Sequence, residues 1–198
     1  MQLVAYLDTS EPLALEDVKN HLRLDTDEDD WNLSSIIIPG ARAHAEALTH
    51  SVLRKAQVIY TIGDFPRITA GIYPPIVLSA PNARSVDAIH YLDDSGQLMA
   101  LTGFRTLIDT NQVKIIAPSF PVLSNPPGDA VKIMLTAGYT QQEFASYLPT
   151  VAQWMLLAIG WAYTQRDLFS NDAKLFAQMP SSYTDGLLQA ANALPSFA

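Results

Sequence analysis

"LPTVAQWMLLAIGWAYTQRDLF", residues 148–169, decides how this chain folds. Between Val151 and Tyr163 only Gln153 is overtly polar, and Trp154 and Trp161 lie seven residues apart. A membrane-spanning helix needs about 18 apolar residues. Here the run stops after 13 and meets Gln165, Arg166 and Asp167, so it reads as a buried helix. Pro149 suits its first turn, where a missing N–H costs nothing. At helical spacing Trp154, Leu157, Ala158 and Trp161 share one face, and Met155, Ile159 and Tyr163 occupy another. A helix apolar on two faces must be covered on both. One cover is expected from helices earlier in the chain; the other is either a sheet or a second copy of the protein.

The earlier helices are readable in residues 13–50. Leu15, Val18 and Leu22 recur at i, i+3 and i+7. Glu16 and Asp17 suit the positive end of the helix dipole, and Arg23 the negative end. The acid run "DTDEDD" (25–30) then opens a second helix, with Asp27 as the expected N-cap. Its expected buried face is Leu33, Ile37, Ala41, Ala45 and Leu48. Pro39 lies inside it and cannot donate to the helical ladder, which predicts an irregularity there.

Between 56 and 138 the period changes from helical to alternating. "VKIML" (131–135) places Val131, Ile133 and Leu135 on one side of a strand. Residues 58–62, 76–78, 88–92, 105–108 and 113–116 are similar β-branched runs. "DDSG" (93–96) and "DTNQ" (109–112) read as hairpin turns, and Pro74-Pro75 and Pro126-Pro127 as extended loops. A further short helix is expected over 171–179, ended by Pro180. The reading is therefore α+β. Residues 1–55 and 139–198 form a small helical bundle built from both chain ends, and 56–138 form an inserted antiparallel β domain. The apolar residues near the C-terminus, Leu187, Leu188 and Phe197, are expected to be exposed and to contact a partner.

Composition excludes several function classes. The chain has 198 residues, no cysteine and a net charge of −8, with a pI of about 4.7. No thiolate metal site or disulfide is available. The opening "MQLVAYLDTSEP" lacks the basic and apolar regions of a signal peptide. The cations are scattered rather than gathered into the basic stripe that gripping DNA phosphates requires. Asp25, Asp27 and Asp29 match the first positions of a calcium loop, but Asp30 and Ile36 stand where Gly and Glu are needed. His21, His44, His50 and His90 make no zinc spacing. No nucleophile elbow, P-loop or dinucleotide fingerprint is present. No catalytic residue, cofactor or metal is therefore assigned. A carbohydrate- or polymer-binding module using Tyr73 or Tyr91 on a sheet face is the alternative, and a hydrolase using Asp64 or Asp109 a weaker one.

The order of the motifs carries a resemblance. "LALEDVKNHLRLDTDEDD", "IIIPGARAHAEALT", "PPIVLSAPNARSVDAIHYLDDSG", "VKIMLTAGY" and "LPTVAQWMLLAIGWAYTQRD" follow one another from about residue 12 to 167. More loosely, "MPSSYTDGLLQAA" continues the match. This set resembles the head–tail connector (head-completion, adaptor) proteins of long-tailed double-stranded DNA phages and prophages. Ala14 stands where that family often caps its first helix with Ser or Thr, and His50 follows Thr49 where Gly is common. The resemblance implies a non-enzymatic virion protein of the neck, assembled in the host cytoplasm. It implies a ring of about twelve or thirteen copies under the portal protein, followed by a tail or stopper protein, with DNA passing through unbound and no membrane involved. About twelve copies at −8 each carry about −96, a field that repels a passing duplex where it lines the lumen.

Overall fold

The structure, a computed structural model, describes residues 1–109, 111–124, 126–164, 186–188 and 191. It is α+β with antiparallel sheets, divided into two units. Of the described residues, one holds Met1–Leu7 and Lys55–Gly138, and the other Asp8–Arg54, 139–164, 186–188 and 191.

The β unit contains a five-stranded and a three-stranded sheet. The larger is ordered β1 (Gln2–Tyr6), β2 (Ala56–Ile62), β8 (Val131–Ala137), β4 (Ala83–Leu92), β5 (Leu98–Ala100). The smaller is ordered β3 (Ile76–Ser79), β7 (Gln112–Ile116), β6 (Arg105–Ile108). β8 is central, and the alternation expected of it is realised: Val131, Ile133, Leu135 and Ala137 are buried. Gly96, at φ +77, closes the 93–96 turn, with its N–H donated to the Asp93 carbonyl at 2.9 Å. β1 and β5 have no counterpart in the sequence reading. Residues 2–6, read with the helices, instead pair along β2 from Gln2↔Ile59 to Tyr6↔Ala56. The uncharged "QLVAY" has nothing to oppose edge pairing.

The helical unit contains α1 (Leu15–Leu22), α2 (Asp30–Asn32), a π-helical segment Leu33–Ile37, α3 (Ile38–Thr49), α4 (Gln141–Tyr147) and α5 (Pro149–Thr164). Ala14 caps α1 without a side-chain hydrogen bond, as its methyl dictates, and His50 adopts the left-handed conformation (φ 51) after α3. α4 has a capping box, in which the Thr140 hydroxyl takes an N–H from the first turn and Glu143 accepts the Thr140 N–H at 3.1 Å.

The irregularity at Pro39 takes a specific form. Pro39 offers no N–H to the carbonyl four residues earlier, and the preceding turn widens into the π segment. One extra residue enters the turn, so the buried stripe runs Leu33, Ile38, Ala41, Ala45, Thr49. This corrects the expected face: Ile37 is only half-buried and Leu48 is exposed. The cap is corrected too. Asp29, not Asp27, precedes the helix, and the Asp27 carboxylate instead accepts a hydrogen bond from Lys19 Nζ at 2.5 Å.

The helical core gathers Leu13, Val18, Leu33, Phe144, Val151, Met155 and Ile159 from both chain ends. Leu187 (9% exposed) and Leu188 (4%) belong to it, which overturns the expectation that they are exposed; Phe197 lies outside the described residues. The helix expected over 171–179 also lies outside them.

A charge cluster closes the unit beside this core. The Arg42 guanidinium donates to Glu11 at 2.7 Å and to Glu46 at 2.6 Å, while Arg54 reaches Glu11 at 3.0 Å. Glu46 also accepts the Leu53 N–H at 2.9 Å, and Arg54 donates twice to the Asp8 carbonyl, at 2.9 and 2.6 Å. Arg42 is buried, and removing one member of such a network leaves its partners desolvated and unpaired. Arg42→Met should therefore lower unfolding stability by about 3 kcal/mol. Urea titration followed by circular dichroism measures this, and a loss within experimental error would show the cluster to be dispensable.

Candidate functional site

Among the described residues the helical unit has an apolar groove of about 780 Å³ between the π segment and α3 on one side and α5 on the other. Ile36, Ile37, Gly40 and His44 form one wall, and Trp154, Ala158 and Trp161 the other. The π segment helps make it, because shifting Ile38 into the core turns Ile36 outward (53% exposed). On α5 the residues expected on a single face separate. Trp154 is buried, Leu157 and Ala158 are half-buried, and Trp161 is 52% exposed. The covered face is instead Val151, Ala152, Met155 and Ile159. The helix is thus covered on one side by its own unit, and Trp161 and Ile36, both in the groove lining, are each about half exposed (52% and 53%).

The polar groups of the groove are few and placed at its margins. His44 stacks on Trp154, with ring centroids 5.6 Å apart and planes at 23°. Asn32 lines one end, and Glu28 and Asp29 precede it by four and three residues. The Asp29 carboxylate accepts the Tyr163 hydroxyl, and Tyr163 follows the groove residue Ala162. Lys19 is buried and pairs with Asp27 and with Asp30 (2.9 Å), while Asp25 and Glu28 remain exposed. The acid run is therefore organised by an internal lysine. Among the described residues no group of three or more His, Asp or Glu is placed to hold a metal ion.

The other readings from sequence are also located. Tyr73 meets Phe120 edge-on and Tyr91 meets Phe65 edge-on, while Phe65 and Phe120 stack. These rings form a packed cluster rather than an open platform for a sugar. Asp64 pairs with Arg67 at 2.7 Å and caps the Phe65 N–H. A smaller pocket of about 320 Å³ in the β unit adjoins Asp93 and Asp94, whose carboxylates are taken up by Ser95, Gln97 and Ser124. Among the described residues no helix is long and apolar enough to cross a membrane.

Two consequences can be measured. Gly40 lies within a continuous helical stretch, is exposed in the groove wall, and a Cβ added there meets nothing within 4 Å. Gly40→Ala should raise stability by about 0.5–1 kcal/mol in urea unfolding; a loss would mean that the backbone there is strained. Separately, the hydrogen bond from Lys19 holds Asp27 below its ordinary value of 3.8. A carboxyl whose folded pKa is depressed adds stability above its unfolded pKa and loses it as pH falls through the folded value. Asp27→Asn should lower the urea midpoint at pH 7, and the difference should shrink as pH falls below the ordinary carboxyl value of 3.8. A difference that does not shrink there would assign the effect to something other than charge.

No family model matches the chain, and no curated protein is similar to it. Solved structures are. A chain of the neck of an empty GTA particle, computed with C6 symmetry, is 21% identical with a TM-score of 0.68, the match covering 98% of this chain and 96% of that one. A chain of the virion of a native gene transfer agent (GTA) particle is 22% identical with a TM-score of 0.68, at the same coverages. A chain of the neck of a native GTA particle, computed with C12 symmetry, is 19% identical with a TM-score of 0.62, covering 94% and 93%. This chain therefore shares, over nearly its whole length, the fold of chains found in those particles.

Proposed function

We propose that this protein is a structural virion protein of the neck, a head–tail connector (adaptor) subunit. In this reading it forms a ring beneath the portal, joins capsid to tail and lines part of the DNA conduit. The observation that carries the reading is the full-length fold likeness to neck chains, 98% of this chain against 96% of that one. The motif order from residue 12 to 167, which resembles connector proteins, points the same way.

Three physical features support it. The apolar groove suits a subunit with neighbours, since a closed ring gives every copy two. The net charge of −8 suits a conduit through which DNA slides without being held. The acid run is tied to an internal lysine, as a structural element would be. Partners are the portal protein on one side, a tail or stopper protein on the other, and further copies of the chain. With Leu187 and Leu188 committed to the helical core, Phe197 is the candidate among the three terminal apolar residues for contact beyond the ring.

Light scattering and negative-stain imaging test this directly, on the purified protein alone and mixed with portal. The expected result is a closed ring of about twelve copies in at least one condition. A protein that stays monomeric in both, at concentrations well above those of its cellular assembly, contradicts the reading.

A further inference from the structure

Two uncovered surfaces of opposite character stand on this chain. The first is the groove, apolar along Ile36 and Trp161; the acid run, with Asp25 and Glu28 exposed, leads in sequence into its Asn32 end and is tied to α5 there by the Asp29–Tyr163 hydrogen bond. The second is the outer face of the three-stranded sheet. Strand alternation buries Ile76, Leu78, Val113 and Ile115 and leaves Val77, Lys114, Leu107 and Arg105 exposed. The register sets Lys114 between Val77 and Leu107, so a cation sits within an apolar row. These three strands contain two cations and no carboxylate, in a chain with 20 acidic and 12 basic residues. Neither Arg105 nor Lys114 forms an ion pair among the described residues.

We infer that these surfaces are the two halves of the contact between neighbouring copies, the sheet face of one seated on the acid-ended groove of the next. This deepens the ring reading and rests on it. A ring that closes by rotation uses a heterologous contact, in which two different patches meet. Complementary charge supplies the direction. Lys114 and Arg105 face Asp25 and Glu28 when sheet meets groove, whereas groove on groove sets acid against acid. Like-sign repulsion thus disfavours a two-fold dimer, which would end growth at two copies. The apolar residues, Leu107 and Val77 against Ile36 and Trp161, supply the burial. Gly40 fits the same picture: a mid-helix glycine with open space above it lets a neighbour approach the backbone closely.

The test uses two charge-reversed full-length proteins, Arg105→Glu/Lys114→Glu and Asp25→Lys/Glu28→Lys, each checked for unchanged circular dichroism and melting. Either alone should assemble at least about tenfold more weakly than the natural chain, in light scattering at low salt. An equimolar mixture should recover assembly, because the acidic sheet of the first variant then meets the basic groove of the second, and the basic sheet of the second meets the acidic groove of the first. Because the chain has no cysteine, Ile36→Cys and Leu107→Cys proteins can also be mixed and oxidised. A covalent pair should form in excess over the control Ile36→Cys with Leu98→Cys, which sits on the other sheet. Rings that form unimpaired in both charge variants, without the Ile36–Leu107 cross-link, overturn this contact and leave the ring reading standing. Failure of the natural chain to form any ring overturns both. A doubly reversed sheet face that assembles normally but loses affinity for duplex DNA would assign that face to DNA and overturn the proposal.

Discussion

A helix of sixteen residues without one charged side chain persists in water only if other elements cover it, and α5 imposes that demand on the whole molecule. Its partners come from the other end of the chain. α1, the π segment and α3 bury Val18, Leu33, Ile38 and Ala45 with Val151, Met155 and Ile159. α1 packs close to α5 at Gly160, where an added Cβ would lie 3.7 Å from Leu22 Cδ2, in ordinary van der Waals contact. Once both chain ends share one core, everything from Lys55 to Gly138 must leave the helical unit and return to it. Seven of the eight strands among the described residues are therefore inserted between the helices, and β1, which precedes them, joins at the edge of the larger sheet. The segments entering and leaving are stitched where they join the helical unit: Arg54 holds the Asp8 carbonyl, and Tyr139 donates its N–H to the Leu53 carbonyl at 2.9 Å.

Polar groups then close what the apolar core leaves open. Glu11, Glu46 and Arg54 form a cluster with the buried Arg42 whose value lies less in attraction than in the cost of breaking it. Lys19 plays a comparable part for the acid run. A stretch of five carboxylates in six residues would repel itself, and a buried ammonium between Asp27 and Asp30 holds it against α1. In the helical unit the groove leaves Trp161 and Ile36 each about half exposed among the described residues.

Much of this was legible in the sequence, and the gaps have physical causes. Strands with one buried face announce themselves by alternation, as β8 does. β1 is exposed almost throughout and β5 has three exposed residues, so neither carries a periodic signal. Pro39 marked an irregularity, but proline chemistry alone does not say whether a helix bends or takes in an extra residue. Here it took one in, and that choice moved Ile38 into the core and Ile36 into the groove. The groove itself joins residues 32–44 to residues 154–162, and only the α5 half was readable. Leu187 and Leu188 misled for a related reason: an isolated apolar pair reads as exposed until its core is known.

The central claim is that the uncovered side of the helical unit is covered in a ring by a neighbouring copy. A single-particle reconstruction of the assembled ring tests it most directly. The account predicts that Trp161 and Ile36 lie against the next subunit, with Lys114 and Arg105 of that subunit beside Glu28. A closed ring in which Trp161 and Ile36 face solvent would contradict it.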